Sequence, residues 1–177
     1  MKHIFPTFII SYSIGKGGEI VLEIKPKTAY VFSVLIALAV GGIAAFLTKG
    51  SMETFAALNQ PPLSPPGWLF PVVWSILYVL MGISAAMVYN TTHPGTKAAL
   101  KIYGLQLAVN FLWTIIFFNV GRYFAAFVWL LFLIALLVIM FIRFKKIRPV
   151  AAYLQIPYLL WCCFAAYLNF GIYFLNP

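Results

Sequence analysis

Five long apolar segments dominate this sequence and constrain its fold more than any other feature. Each is about as long as a helix must be to cross the hydrocarbon core of a bilayer, roughly 20 residues. Because 64% of the 177 residues are hydrophobic and only 8% are charged, the chain has too little polar surface to cover a soluble globule of its size. We therefore predict an all-α integral membrane protein, a five-helix bundle with spans over residues 29–48, 68–89, 102–119, 123–142 and 150–175.

The first 27 residues do not continue this pattern. The apolar piece within them is too short to span a bilayer, and no small-residue cleavage site of a signal peptide follows it. The segment Lys16-Gly-Gly-Glu19 is what a purine-rich ribosome-binding sequence would encode if it were read in frame. We predict that residues 1–27 are disordered or mis-annotated, with a native start near Val21, and that residues 28–177 form one membrane domain.

The formal charge of +9 comes from cations that lie between the apolar segments, so no basic patch for a nucleic acid is expected. After the first span, Lys49 is offset by Glu53, and the connection after the third span has only Arg122. The connections after the second and fourth spans carry Lys97, Lys101, Arg143, Lys145, Lys146 and Arg148. The positive-inside rule then predicts a cytoplasmic N-terminus, with the C-terminus and the first connection outside. We expect the membrane to be a bacterial cell membrane.

The chain offers little material for acid–base or metal chemistry. It has no Asp, no Glu within a span, and only two histidines, His3 in the tail and His93 in a loop. Cys162 and Cys163 are adjacent, so their side chains diverge on a helix and form neither a metal pair nor an ordinary disulfide. This inventory argues against a conventional hydrolase, a metalloenzyme or a proton-driven pump, and we expect no metal and no cofactor.

A proline-rich segment ahead of the second span predicts a ligand site. Four prolines within residues 61–66 deny backbone amides to a helix and favour extended conformations, so we expect a stiff loop at the membrane boundary. Trp74 and Tyr78 follow one turn apart on the same helix face. Trp68, at the start of the span, is equally explained by the aromatic belt of a membrane interface. A rigid loop over an aromatic helix face predicts a pocket.

Side-chain amides and aromatic residues mark the inward faces of two further spans. At helical spacing these residues are Gln106, Asn110 and Trp113 in the third span, and Trp161, Ala165 and Asn169 in the fifth. A buried amide needs a hydrogen-bond partner, so these faces are expected to point into the bundle. For Asn110 and Asn169, ligand contact and hydrogen bonding between helices both remain open at this stage.

Small residues and a proline predict further details of helix packing. Gly41-x-x-x-Ala45 in the first span and Gly104-x-x-x-Ala108 in the third are patterns that allow close helix contact. Such contacts form within a bundle or between subunits. Pro157 lies inside the fifth apolar segment, where it predicts a kink.

Three segments in a fixed order carry a family resemblance. They read PPLSPPGWLFPVVWSILYVLMG at 61–82, QLAVNFLWTIIFFNVGR at 106–122 and PYLLWCCFAAYLNFGIYFLN at 157–176. Together they resemble the TspO/MBR family, the tryptophan-rich sensory proteins related to the mitochondrial translocator protein or peripheral benzodiazepine receptor. The resemblance extends from about Ala29 to the C-terminus, and the residues before Lys25 lie outside it.

The resemblance implies a membrane bundle, commonly a homodimer, with a pocket beneath the connection between the first two helices. It implies binding of tetrapyrroles such as protoporphyrin IX and haem, as ligands and not cofactors, and of benzodiazepine-type ligands, in porphyrin or stress sensing and homeostasis. Alternatives are a light-dependent porphyrin-degrading enzyme with Trp74 and Trp161 as its paired indoles, and a tetrapyrrole carrier. The candidate ligand-binding residues are Phe55, Pro65, Pro66, Phe70, Trp74, Tyr78, Asn110, Trp113, Trp161, Ala165 and Asn169.

Two positions depart from the family pattern. Members often have Trp-Tyr early in the first connection, where this chain has Thr54-Phe55 and so lacks a phenol that could hydrogen-bond a ligand. They also often have an aromatic residue before the second proline pair, where this chain has Leu63. The expected consequence is a weaker affinity for porphyrin.

Overall fold

The computed structural model describes residues 10–14, 20–24 and 26–177. Strands β1 (Ile10–Ile14) and β2 (Ile20–Ile24) pair antiparallel, with Ile10 opposite Ile24. This hairpin precedes the helical domain and was not predicted from the sequence. The other residues before Lys25 lie outside the described residues, and the start near Val21 stays a prediction.

Helices form nearly all of residues 26–177, which confirms the predicted all-α bundle of five spans. The helices are α1 (Pro26–Thr48), α2 (Met52–Ala56), α3 (Leu69–Tyr89), α4 (Thr96–Thr114), α5 (Tyr123–Ile147), α6 (Pro149–Tyr153) and α7 (Ile156–Leu175). A 3-10 turn (Lys49–Ser51) joins α1 to α2, and a π-helical turn (Ile115–Asn119) extends α4. The five segments long and apolar enough to cross a membrane are α1, α3, extended α4, α5, and α6 with α7.

The fifth span is two helices where a single kinked helix was predicted. The break falls between Tyr153, the last residue of α6, and Ile156, the first of α7. Pro157 therefore lies in the first turn of α7 and not at a kink inside a longer helix. In that turn a missing backbone N–H removes no intrahelical hydrogen bond, so the proline is accommodated without distortion.

The outer surface of the bundle is apolar, as a bilayer requires. Val31, Leu35, Ile43 and Phe46 on α1 are each more than half exposed, although a soluble protein would bury most side chains of this kind. Polar groups instead pair in the interior: the Tyr158 hydroxyl donates to Oε1 of Gln106 at 3.0 Å. Hydrocarbon surroundings favour both arrangements, since lipid solvates apolar side chains and cannot hydrogen-bond an amide.

Close packing of α1 against α3 depends on two glycines. A Cβ on Gly82 would lie 2.5 Å from Cα of Val34 in the α1 backbone, and a Cβ on Gly41 would overlap the ring of Tyr78. The small residue Gly41 of the predicted Gly41-x-x-x-Ala45 pattern is therefore used inside the bundle. Gly104 differs, because a Cβ there meets no heavy atom within 4 Å.

Replacing Gly82 by alanine is expected to lower the free energy of unfolding by about 1–3 kcal/mol, the usual range for overpacking a tight contact. The reason is that a methyl group would push the α1 backbone away from α3. Thermal unfolding of the purified protein in detergent measures the change. Gly42→Ala is the matched control, because a Cβ at Gly42 meets nothing within 4 Å. Equal melting temperatures for the two variants would contradict the packing argument.

Candidate functional site

A cavity of about 340 Å³ lies at the end of the bundle where residues 49–68 connect α1 to α3. Its volume is within the range typical of small-molecule pockets. Four spans and the connecting segment contribute to its wall. The lining residues are Gly41, Ala44, Ala45, Thr48, Lys49, Phe55, Gly67, Phe70, Pro71, Trp74, Tyr78, Trp113, Thr114, Phe117, Phe118, Trp161, Ala165, Leu168, Asn169 and Ile172.

The aromatic residues predicted from three spans meet in this wall. The ring centroid of Trp74 lies 5.7 Å from that of Tyr78 and 6.3 Å from that of Trp113. Phe70 contacts Trp161 edge-on at 6.0 Å. Ring contacts of this kind hold each side chain in one orientation, so the flat faces that border the cavity are fixed before a ligand arrives. Both indoles of the predicted pair, Trp74 and Trp161, line the same cavity.

The side-chain amides of Asn110 and Asn169 occupy different positions relative to the cavity. Asn110 lies behind the wall and does not line the cavity: its Nδ2 donates to the Tyr78 hydroxyl at 3.0 Å, which links α4 to α3. Asn169 does line the cavity, and it also accepts a hydrogen bond from Nε1 of Trp113 at 3.3 Å and donates to the carbonyl of Tyr123 at 2.8 Å. Asn110 therefore bonds two helices together, whereas Asn169 combines that task with a position at the cavity surface.

Helix α2 closes the cavity with Phe55. The Phe55 ring lies 6.1 Å from Phe70, 5.8 Å from Phe117 and 5.4 Å from Phe118, so it bridges the start of α3 and the end of α4. A tyrosine hydroxyl at this position would need a partner among these rings. The phenylalanine that departs from the family pattern thus suits the apolar surroundings that it has here.

The connecting segment, residues 49–68, is attached to the bundle by hydrogen bonds to α7 and to the residue that follows it. The backbone N–H of Asn59 donates to Oδ1 of Asn176 at 2.9 Å, and Nδ2 of Asn176 donates to the carbonyl of Asn59 at 3.0 Å. The Tyr167 hydroxyl donates to the carbonyl of Pro62 at 2.8 Å. Pro61 is buried against Gly171, where a Cβ would lie 2.6 Å from the proline ring. We call these contacts the clasp.

The predicted loop prolines lie outside the cavity. Pro65 is half-buried, Pro66 is exposed, and neither belongs to the lining. Leu63, the second departure from the family pattern, is 81% exposed and has a φ of 67°, a left-handed conformation that a leucine rarely adopts. Its side chain also makes no part of the cavity wall, so the structure gives Leu63 no contact through which it would act on a ligand.

Sequence reasoning missed Phe117 and Phe118. Phe117 follows Trp113 by four residues and stacks on it at 5.7 Å, so helical spacing alone could have found it. Phe118 joins the wall because the π-helical turn, closed by a hydrogen bond from the Val120 N–H to the Ile115 carbonyl, places residues five apart on one face. An α-helical projection of the sequence does not reveal that second phenylalanine.

Fold and cavity together define a five-span, all-helical membrane protein whose bundle encloses an aromatic cavity beneath its first connection. No group of three or more His, Cys, Asp or Glu that could hold a metal ion occurs among the described residues. The model of the TspO/MBR family matches residues 33–175, and the chain belongs to this family.

Sequence similarity to known relatives extends over most of the chain. It is 34% identical over 145 residues to the tryptophan-rich protein TspO of Chlorobaculum tepidum, covering 80% of this chain and 92% of that protein. It is 36% identical over 147 residues to the tryptophan-rich protein TspO of Archaeoglobus fulgidus, covering 82% and 95%. The translocator protein of Ovis aries is 34% identical over 122 residues, covering 67% and 72%. The shared region corresponds to the five-span domain.

Replacing Asn176 by alanine is expected to loosen the clasp. Losing the two hydrogen bonds to Asn59 lowers the free energy of local opening by about 1–2 kcal/mol, which corresponds to roughly fivefold to thirtyfold faster amide exchange. Hydrogen–deuterium exchange of peptides that contain residues 57–60 measures this. The control is Ser75→Ala, because the Ser75 hydroxyl bonds only to the Pro71 carbonyl within α3. Unchanged exchange in Asn176→Ala would show that these bonds do not hold the segment.

Proposed function

We propose that the protein is a membrane ligand-binding protein for tetrapyrroles such as protoporphyrin IX and haem, and for benzodiazepine-type ligands, in porphyrin or stress sensing and homeostasis. The observation that carries this proposal is the partly open cavity of about 340 Å³ with aromatic side chains from α2, α3, α4 and α7 in its wall. Family membership adds support, since relatives are named tryptophan-rich sensory protein and translocator protein.

The wall suits a flat aromatic ligand for physical reasons. Trp74, Trp113 and Trp161 offer large polarizable faces, and stacking on such faces favours planar ring systems over flexible chains. The lining residues that carry polar side-chain groups are few: Asn169, Thr48, Thr114, Tyr78 and Lys49. A few placed polar groups within an apolar wall orient a ligand without a large desolvation cost.

The proposal includes an arrangement in the membrane. By the positive-inside rule, the basic residues at the start of α4 (Lys97 and Lys101) and at the end of α5 (Arg143, Lys145, Lys146 and the following Arg148) lie in the cytoplasm, and the cavity then opens toward the outer face. The protein is proposed to be a homodimer, and the face of α4 with Gly104 and Ala108 is suited to it, because both residues are exposed and Gly104 has open space.

Replacing Trp161 by alanine is expected to weaken protoporphyrin IX binding by about 1–3 kcal/mol, as for a central aromatic anchor. The loss arises because the indole contributes a stacking face that alanine cannot replace. Porphyrin fluorescence in the dark, titrated with purified protein, measures the dissociation constant. Trp68→Ala is the control, since Trp68 is 67% exposed and lies outside the cavity wall. Equal affinities of the Trp161 variant and the wild type would remove Trp161 from the proposed site.

A second candidate function, light-dependent porphyrin degradation, is favoured by one observation: Trp74 and Trp161 line the same cavity. An excited porphyrin held against these indoles would react with dissolved oxygen as the oxidant, while the protein supplies orientation and not acid–base groups.

Illumination of the bound porphyrin is expected to yield a new absorbing product that is lost in the variant Trp74→Phe/Trp161→Phe. Phenylalanine keeps an aromatic face but is much harder to oxidise than an indole, so binding is retained while the reaction is not. Absorption spectra before and after illumination give the measurement, with Trp68→Phe as control. Identical bleaching by heat-unfolded wild-type protein would count against catalysis and leave a receptor or carrier.

A further inference from the structure

One charged side chain belongs to the cavity wall. Lys49 lines the cavity at the 3-10 turn that follows α1, and every other lining residue in the described part of the chain is apolar, aromatic, a threonine or an amide. Lys49 is itself exposed, so water screens its charge in part, but the described residues that line the cavity beside it supply no competing charge to a ligand at that position. The position of Lys49 therefore bears on which ligands the cavity selects.

The backbone around Lys49 is fixed by hydrogen bonds to the end of the π-helical turn. Nδ2 of Asn119 donates to the carbonyl of Leu47 at 3.1 Å, and Oδ1 of the same residue accepts a hydrogen bond from the Ser51 hydroxyl at 2.9 Å. Asn119 thus fixes Leu47 and Ser51, which lie two residues before and two residues after Lys49. Asn119 also ends the π-helical turn that supplies Phe117 and Phe118, so the lysine and the aromatic wall are held by one element.

The ammonium group itself is only weakly held. Its Nζ lies 4.4 Å from the ring centroid of Phe46, a side chain that is 65% exposed, and a cation–π contact at such an exposed position is weak. Glu53 lies four residues further along the chain, yet no carboxylate among the described residues forms an ion pair with Lys49. The lysine stem is long and flexible, so the ammonium can turn from Phe46 to an anionic group at the cavity mouth.

We infer that Lys49 makes the site selective for aromatic ligands that carry a carboxylate on one edge. The inference rests on the proposed function: the ligand's ring system occupies the aromatic wall, and its carboxylate lies at the mouth beside the ammonium. Burying a charge in the apolar interior of the cavity would cost free energy, whereas a charge at the mouth lies beside the ammonium of Lys49. The ligand therefore enters with its uncharged edge first. Propionate-bearing tetrapyrroles have this chemistry, and so do other planar aromatic acids.

The test compares protoporphyrin IX with its dimethyl ester, which keeps the ring system and removes both charges. Wild-type protein in detergent is expected to bind the diacid about twofold to fivefold more tightly than the ester, the range for exposed charge pairs. In Lys49→Gln that preference is lost through weaker binding of the diacid, while ester binding is unchanged. Lys49→Arg restores the preference, and added salt reduces it in the wild type.

The matched control is Lys101→Gln, which removes an exposed cation on α4 outside the cavity wall and is expected to keep the wild-type preference.

Equal weakening of diacid and ester in Lys49→Gln would overturn the inference, because it would indicate a structural role for the turn. An unchanged preference would also overturn it, since the ammonium would then serve lipid headgroups or solvent. Both outcomes leave the proposed function standing, whereas no saturable binding of either compound by the wild type would refute the proposed function and the inference with it.

Discussion

The contact between Gly41 and the ring of Tyr78 is the one on which the site most depends. Because Gly41 has no side chain, α1 approaches α3 closely enough to press against one side of that ring. Asn110 holds the hydroxyl at the ring's other end, and Trp74 packs beside it at 5.7 Å. These contacts fix Tyr78 in the cavity wall. Because they come from α1, α3 and α4, they also contribute to the spacing of these three helices around the cavity.

The membrane explains why the cavity has this composition. Lipid is as apolar as the helix surfaces, so the hydrophobic effect does not drive the helices together. Packing of small residues and a few internal hydrogen bonds must therefore hold the bundle together. The amides of Asn110 and Asn169 contribute such hydrogen bonds, and the cavity beside them is lined mainly by apolar and aromatic residues. Among the lining residues that the structure describes there is no carboxylate and no histidine, and the aromatic faces are the main feature that the wall presents to the cavity.

The segment that covers the cavity is held in a different way from the helices beneath it. Its clasp consists of hydrogen bonds at exposed positions, at Asn59 and Pro62, together with the packing of Pro61 on Gly171. Each such hydrogen bond contributes only about 0.5–1 kcal/mol, because water competes for both partners. Opening of the segment therefore requires less free energy than separation of the spans, so the segment can open while the bundle stays intact.

The sequence by itself determined the five spans and the aromatic faces, because hydropathy and helical spacing are local properties. Trp74, Trp113 and Trp161 were found in this way, and all three line the cavity. Only the tertiary structure decided that Asn110 lies behind Tyr78, that a π-helical turn brings Phe118 into the wall, and that the break in the fifth span precedes Pro157.

Likewise, only the tertiary structure joins Asn59 to Asn176 and Lys49 to the cavity mouth. Residues 59 and 176 are 117 positions apart in the chain, and no local pattern relates them. The position of Lys49 depends on Asn119, which reaches across from the end of α4. Contacts of this kind depend on how helices lie beside one another, and that arrangement is set by many packing interactions at once, not by the periodicity of any one segment.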